Sequence, residues 1–259
     1  MTTDPQTASR LARRAADTAR LMGVDFIPVA GSAPPPPPTP APAPALPDAT
    51  DPEDRLSRAD RAVRLTDLPP VTDVVAALDE LRARYERESV VAQRMEGWTN
   101  IVFGDGDPHA DLVFVGEAPG ANEDEQGIPF VGRAGQKLNE MITAMGLSRE
   151  TVYICNVLKV RPPGNRTPTS DESALDGVFL DEQLAILNPK VIVTLGKPAA
   201  AYILGTSDAM GRLRGNWHDY RGVPVMPTFH PAYLLRAYTK ENRERVWSDL
   251  QQVMEKLAT

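Results

Sequence analysis

The chain reads as an α/β protein, a three-layer αβα sandwich built on a central four-stranded parallel sheet. From about Leu68 onward, short apolar and β-branched runs alternate with longer helical segments, the pattern of layered α/β domains. The short runs are also largely apolar instead of alternating with polar residues, as expected for strands covered on both faces.

The elements follow in order. Residues 5–22 place Leu11, Ala15, Ala19 and Met22 at helical spacing opposite Arg13 and Arg20, which predicts a short amphipathic helix and assigns residues 1–30 to a separate arm. Residues 31–67 are rich in Pro and Ala and include Pro34 to Pro38; such a composition favours extended chain with no core and reads as a disordered linker. The folded domain is assigned to residues 68–259. Within it the strands are Asp111–Val115, Val152–Val157, Val191–Leu195 and Val223–Thr228, and the helices are 71–89, 136–145, 170–187, 198–204 and 241–256. Thr169, Ser170 and Asp171, just before Glu172, supply capping residues for the third of these helices.

Composition limits what the protein does. Its 259 residues, 42% of them hydrophobic, support one good-sized core, whereas 25 prolines are too many for one uniformly folded unit. No run reaches the roughly 18 to 20 apolar residues of a membrane helix, and no basic-then-apolar leader opens the chain. An intracellular, cytoplasmic protein with no membrane partner is expected. Cys155 is the only cysteine, which excludes internal disulfides and any metal site built on several thiolates. The net charge of −7 argues against a nucleic-acid partner, but it is uneven: residues 1–150 carry −9 and residues 151–259 carry +2. Arg161, Arg166, Arg212, Arg214, Arg221 and Arg236 fall in short loops of that second part, and local charge is what steers binding.

The chemistry-bearing residues follow the strands. Gly116, Glu117, Ala118, Pro119 and Gly120 come after the first strand, Asn156 ends the second, Gly196 and Lys197 follow the third, and His230 and Pro231 follow the fourth. Open parallel sheets bind ligands beyond the carboxyl ends of their strands. The residues alone therefore describe a pocket for a small molecule or a base, with one amide, one carboxylate, one imidazole, and glycines that admit close backbone approach.

Three segments, GEAPGANEDEQGIPFVGRAG (116–135), NVLKVRPPGNRTP (156–168) and TFHPAYLLR (228–236), resemble the signature regions of the family 4 uracil-DNA glycosylases. The resemblance runs from about Ser89 to the C-terminus. It implies a uracil-DNA glycosylase-like fold, a catalytic domain at 68–259, and a monofunctional, monomeric enzyme that flips uracil out of single- or double-stranded DNA and hydrolyses its glycosidic bond, starting base excision repair. It makes Phe130 the ring that stacks on the flipped base, although an isolated Phe is more often core. It makes Asn156 the reader of the uracil edge, where an amide offers the donor and acceptor that uracil needs and cytosine mismatches. Glu117 positions the attacking water, and His230 stabilises the negative charge on the departing base. Gly116, Ala118 and Gly120 line the base site; Ala118 and Gly120 stand where another branch of the superfamily has an aspartate and a thymine-excluding tyrosine. The run Glu123, Asp124 and Glu125 reads as a solvated acidic turn. Arg161, Arg166, Lys197 and Arg236 are candidate phosphate contacts, each equally readable as a plain surface charge. Leu234 is either an apolar wedge into the duplex or the first buried residue of a helix.

Two departures from that family stand out. Its members hold an iron-sulfur cluster on four cysteines, whereas the corresponding positions here carry Ser89, Ala92, Val160 and Asp176; no cofactor is expected, and Val160 and its neighbours are expected to form an apolar plug in place of the cluster. A related sub-family captures the sugar covalently through a histidine where Asn165 stands, so hydrolysis is expected instead. The rival readings are a non-catalytic or covalent uracil-DNA binding module of the same fold, and a nucleotide hydrolase whose phosphate-loop pattern is missing. The N-terminal arm reads as a docking point for a repair partner, with the enzyme acting at the nucleoid.

Overall fold

A computed structural model describes residues 63–259. The predicted N-terminal arm and most of the predicted linker lie outside the described residues. Residues 63–67, assigned above to the linker, belong to the fold: Leu65 is fully buried, its N–H donates to the Arg221 carbonyl at 2.8 Å, and Leu65–Asp67 form a 3-10 turn. Flanking charge and proline hid that single apolar anchor.

Six strands form the sheet: β1 (Asp105–Gly106), β2 (Leu112–Gly116), β3 (Tyr153–Asn156), β4 (Val191–Leu195), β5 (His218–Tyr220) and β6 (Val223–Thr228), in spatial order β1-β3-β2-β4-β6-β5. The four central strands are parallel and match the four expected from sequence. The sheet is nevertheless mixed, because β1 and β5 add antiparallel edges. These two are only two and three residues long and partly polar, as edge strands are free to be, and so carry no apolar run for the sequence to betray.

The central strands bury both faces. On β2, Val113 and Val115 point into one core with Leu78, Leu81 and Tyr85 of α1 (Val74–Glu88). Leu112 and Phe114 point into the other. Among the described residues the layers also hold α2 (Val90–Arg94), α3 (Ala121–Gln126), α4 (Arg133–Ala144), α5 (Ser170–Leu187) and α6 (Lys197–Leu204). Then come α7 (Met210–Leu213), α8 (Pro231–Arg236) and α9 (Lys240–Leu257). Leu180 and Leu184 of α5 share the first core with α1, while Leu138 and Ile142 of α4 and Val246 and Leu250 of α9 share the second. Each wholly buried Leu or Phe in these layers contributes about 1.5–3 kcal/mol. The predicted cap of α5 is present as a full capping box: Thr169 accepts from the Glu172 N–H at 3.1 Å, and Glu172 accepts from the Thr169 N–H at 2.8 Å. Among the described residues, no helix is long and apolar enough to cross a membrane.

Candidate active site

The parallel register sets Gly116 opposite Asn156, and the pairing continues past the strands: Val157 N–H donates to Gly116 O at 3.0 Å and Leu158 N–H to Glu117 O at 3.1 Å. The first two motifs are thus tied backbone to backbone. A Cβ on Gly116 would stand 2.5 Å from Phe130 Cζ and closer still to Asn156 Oδ1, so ring and amide face the same point across a bare glycine. Asn156 is buried, and its Oδ1 has no hydrogen-bond partner among the described residues. A buried amide oxygen without a donor costs about 1–3 kcal/mol, and a bound N–H group would remove that cost. The Phe130 ring lies 5.7 Å, centroid to centroid, from the imidazole of His230. Amide, aromatic ring and imidazole therefore converge, as the sequence motifs imply.

His230 is the N-cap of α8. Its Nδ1 accepts from the Ala232 N–H at 3.1 Å, which leaves the proton of the neutral ring on Nε2 as a donor. Burial, helped by the Arg236 charge, pushes its pKa down to about 4, with Glu123 opposing. The ring is held against Gly196, where a Cβ would lie 2.9 Å from His230 Cβ and where φ is +87°; only glycine serves at both counts. Thr228, two residues before His230, is fixed as well: its carbonyl accepts from Gly196 N–H at 2.9 Å, and its hydroxyl donates to Asp249 at 2.6 Å. Arg214 closes that tie through an ion pair with the fully buried Asp249.

Glu117 is half-buried. Loss of solvent raises its pKa above the ordinary carboxylate value, and a hydrogen bond with the Thr167 side chain partly opposes that. Gly120 is followed by α3, and a Cβ on it would meet Glu123 Oε2 at 2.8 Å. The Glu123 carboxylate thus occupies the space in front of Gly120.

The acidic run is not a solvated turn. Glu123 Oε1 accepts from the N–H groups of Val131 and Gly132 at 2.9 and 2.7 Å, just beyond Phe130. Asp124 is buried and accepts from Thr99 and Asn100 N–H at 2.7 and 3.0 Å. Only Glu125 is an exposed charge. The amide partners of the carboxylates at 123 and 124 lie on other segments and leave no mark in the acidic run itself. On the other side of Phe130, Arg149 donates to the carbonyls of Pro129 and, at 3.0 Å, Phe130, while its Nε pairs with Asp105 at 2.7 Å. These anchors hold Phe130 at φ +53°, a conformation that a bulky residue rarely adopts unless its surroundings impose it.

The candidate DNA contacts divide. Lys197 and Arg236 are exposed, and their side chains make no hydrogen bond or ion pair among the described residues. Arg166 is engaged by Glu172 through both terminal nitrogens, and Arg161 Nε donates to Asn165 at 2.6 Å. Leu234 is 3% exposed and packs into the core with Phe114 and Leu250, so the wedge reading of Leu234 is corrected to that of a buried helix residue. Its neighbour Leu235, at 36%, is the exposed leucine of α8.

A family model described as the Uracil DNA glycosylase superfamily matches residues 103–251, a stretch that includes all four parallel strand ends and His230. The chain belongs to the uracil-DNA glycosylase superfamily. It is 50% identical over 155 residues to the type-4 uracil-DNA glycosylase of Thermotoga maritima, covering 59% of this chain and 81% of that one. It is 44% identical over 165 residues to the type-4 enzyme of Archaeoglobus fulgidus, covering 61% and 82%. A third type-4 relative, from Sulfurisphaera tokodaii, is 39% identical over 184 residues, covering 66% and 83%.

Within the superfamily fold, the four positions expected to ligate an iron-sulfur cluster converge: Ser89, Ala92, Val160 and Asp176 are all buried, and Ser89 Oγ donates to Asp176 Oδ1 at 2.7 Å. They offer a hydroxyl, two alkyl groups and a carboxylate. Such clusters require thiolates, so these residues do not fit one. Nor is the place an apolar plug, because a hydrogen-bonded carboxylate sits at its centre.

Proposed function

We propose that this chain is a uracil-DNA glycosylase that hydrolyses the N-glycosidic bond of uracil in DNA, releasing free uracil and leaving an abasic site. The observation that carries this reading is the convergence of Asn156, Phe130 and His230 beyond the carboxyl ends of the parallel strands. The flipped base stacks on Phe130. The unpartnered Oδ1 of Asn156 accepts from uracil N3–H while its amide N–H donates to O4; cytosine, with an acceptor at N3 and an amino group at C4, finds both reversed. As the bond from C1′ to N1 breaks, its electron pair moves onto the base, and His230 Nε2–H donates to O2, where that charge gathers. Water adds to C1′, guided by the Glu117 carboxylate, and gives up its proton to that carboxylate or to solvent. The raised pKa of Glu117 suits a base poised for that step.

Thymine differs from uracil by its 5-methyl group. Because Gly120 supplies no side chain, the Glu123 carboxylate in front of it is the group we assign to exclude that methyl. Lys197 and Arg236 take backbone phosphates, and Leu235 replaces Leu234 as the apolar wedge. The reaction runs without a cofactor and as a monomer, in the cytoplasm on nucleoid DNA. Asn165 at the place of a covalent histidine supports hydrolysis over sugar capture, since its side chain is bound to Arg161. The N-terminal arm serves as a docking point for a repair partner; loss of residues 1–52 without change in partner capture would remove that role.

Base release from single-stranded and duplex uracil oligonucleotides, with Asn156→Ala as control, tests the reading. Free uracil from the unsubstituted chain and none from the control are expected. Tight binding without release, or an adduct that survives denaturation, would turn the assignment into the binding module.

A further inference from the structure

Behind the base-reading residue lies a buried polar network that the proposed reaction does not use. Lys159 is 0% exposed; its Nζ donates to the carbonyl of Asn156 at 2.8 Å and to Gln183 Oε1 at 2.5 Å. Gln183 in turn donates to Phe103 O and to the Tyr153 hydroxyl, both at 3.1 Å. One residue's length away, Asp176, also 0% exposed, accepts from Tyr85 OH and Ser89 Oγ at 2.7 Å each and from the Lys159 N–H at 3.2 Å. Ser89 Oγ accepts from Ala92 N–H at 3.0 Å, fixing the junction of α1 and α2.

Burying a lysine and a carboxylate costs several kcal/mol per charge unless each is paired and fully hydrogen-bonded. Here the partners come from four separate segments: α1, the α1–α2 junction, the turn after β3, and α5. Burial pulls the Lys159 pKa down and pushes that of Asp176 up, with their mutual attraction opposing both. Through Lys159 the arrangement ties the backbone carbonyl of Asn156 to Gln183 of α5.

We infer that the Tyr85–Ser89–Asp176 network, linked to Lys159, is the tie that holds the turn after β3 in register with the helical layer, in place of a metal cluster. Asp176 and Lys159 are its positioning residues. Carboxylate acceptors with three donors perform the cross-linking that four thiolates on iron would perform, and they do so without redox sensitivity. The role in base reading rests on the proposed function; the tie itself does not.

The test uses the full chain, purified without oxygen. Iron content and visible absorbance are expected to be at background; iron at one cluster per chain overturns the inference. Amide hydrogen exchange then compares the unsubstituted chain with Asp176→Asn, which leaves one oxygen for three donors. Exchange at Val157 to Val160 is expected to rise on the order of tenfold more than exchange in β4, because a local tie opens locally. An even rise throughout the sheet, or no rise, overturns it. If Asp176→Asn does not fold, Ser89→Ala, which removes one donor to Asp176 together with the cap on the Ala92 N–H, carries the same comparison. Lys159→Met, which keeps the stem and removes the ammonium, is expected to lower kcat/KM for uracil release on the order of tenfold at a temperature where the variant is folded. Unchanged kinetics would remove Lys159 from the positioning role while leaving the exchange result to decide the tie.

Discussion

Replacing Gly116 by alanine adds one methyl group at the point where ring and amide meet. Its Cβ would lie 2.5 Å from Phe130 Cζ, 2.7 Å from Cε2, and within contact of Asn156 Oδ1. Comfortable carbon contacts begin at about 3.5 Å, so ring and amide must each retreat by about 1 Å. Neither moves freely: Arg149 and Glu123 hold the backbone on either side of Phe130, and Lys159 holds the Asn156 carbonyl. Overpacking of this kind costs about 1–3 kcal/mol, a fall of several degrees in melting temperature for a domain of this size. The effect on catalysis is larger, because a displacement of about 1 Å in a positioned group costs on the order of 10²-fold, roughly 2.7 kcal/mol of transition-state stabilisation. Single-turnover uracil release and thermal melting measure the two effects separately. Gly211→Ala is the control, since nothing lies within 4 Å of a Cβ there; it should leave release unchanged. A folded Gly116→Ala protein with activity close to that of the unsubstituted chain would refute the claim that Phe130 and Asn156 share one substrate.

Asn156→Asp should lose uracil release and gain measurable release of cytosine, because a carboxylate accepts from the cytosine amino group and repels uracil O4; a base-release panel reads both. His230→Asn should slow uracil release by about 10²- to 10³-fold in single-turnover assays. The same histidine has a folded pKa of about 4 against an unfolded value near 6.5, so its neutral form supports the fold above about pH 6.5, and that support drains away as pH falls towards about 4. Denaturant melts across that window should show stability dropping on acidification, with a shallower drop in His230→Asn. Glu123→Ala should open the space before Gly120 and permit detectable thymine release, while lowering uracil release through the lost anchors on Val131 and Gly132; thymine release no greater than that of the unsubstituted chain would count against Glu123 as the excluding wall.

What could be read in the sequence, and what could not, follows from how far apart the interacting residues are in the chain. The four parallel strands were legible because each is a short, largely apolar run, and Glu117, Asn156 and His230 were legible because each sits within a few residues of the end of such a run. Arg149, Glu123, Asp124, Lys159, Asp176 and Asp249 were not, although each fixes a part of the site or its supports. Each satisfies a partner dozens of residues away or a bare backbone amide, and neither kind of partner leaves a mark on composition or spacing: Asp176 meets Tyr85 and Ser89 at separations of 91 and 87 residues. Leu234 shows the converse error, since one motif position carries both a surface role and a core role, and only the burial of the helix decides between them. The cluster-ligand positions join the two lessons. Sequence showed that thiolates were missing and suggested apolar filling, because valine and alanine are two of the four. Yet a buried serine beside a buried aspartate is stable only when donors reach it, and those donors, the Tyr85 hydroxyl and the Lys159 amide, belong to segments that only folding brings together. The missing cysteines therefore mark a change in the chemistry of a cross-link rather than its disappearance.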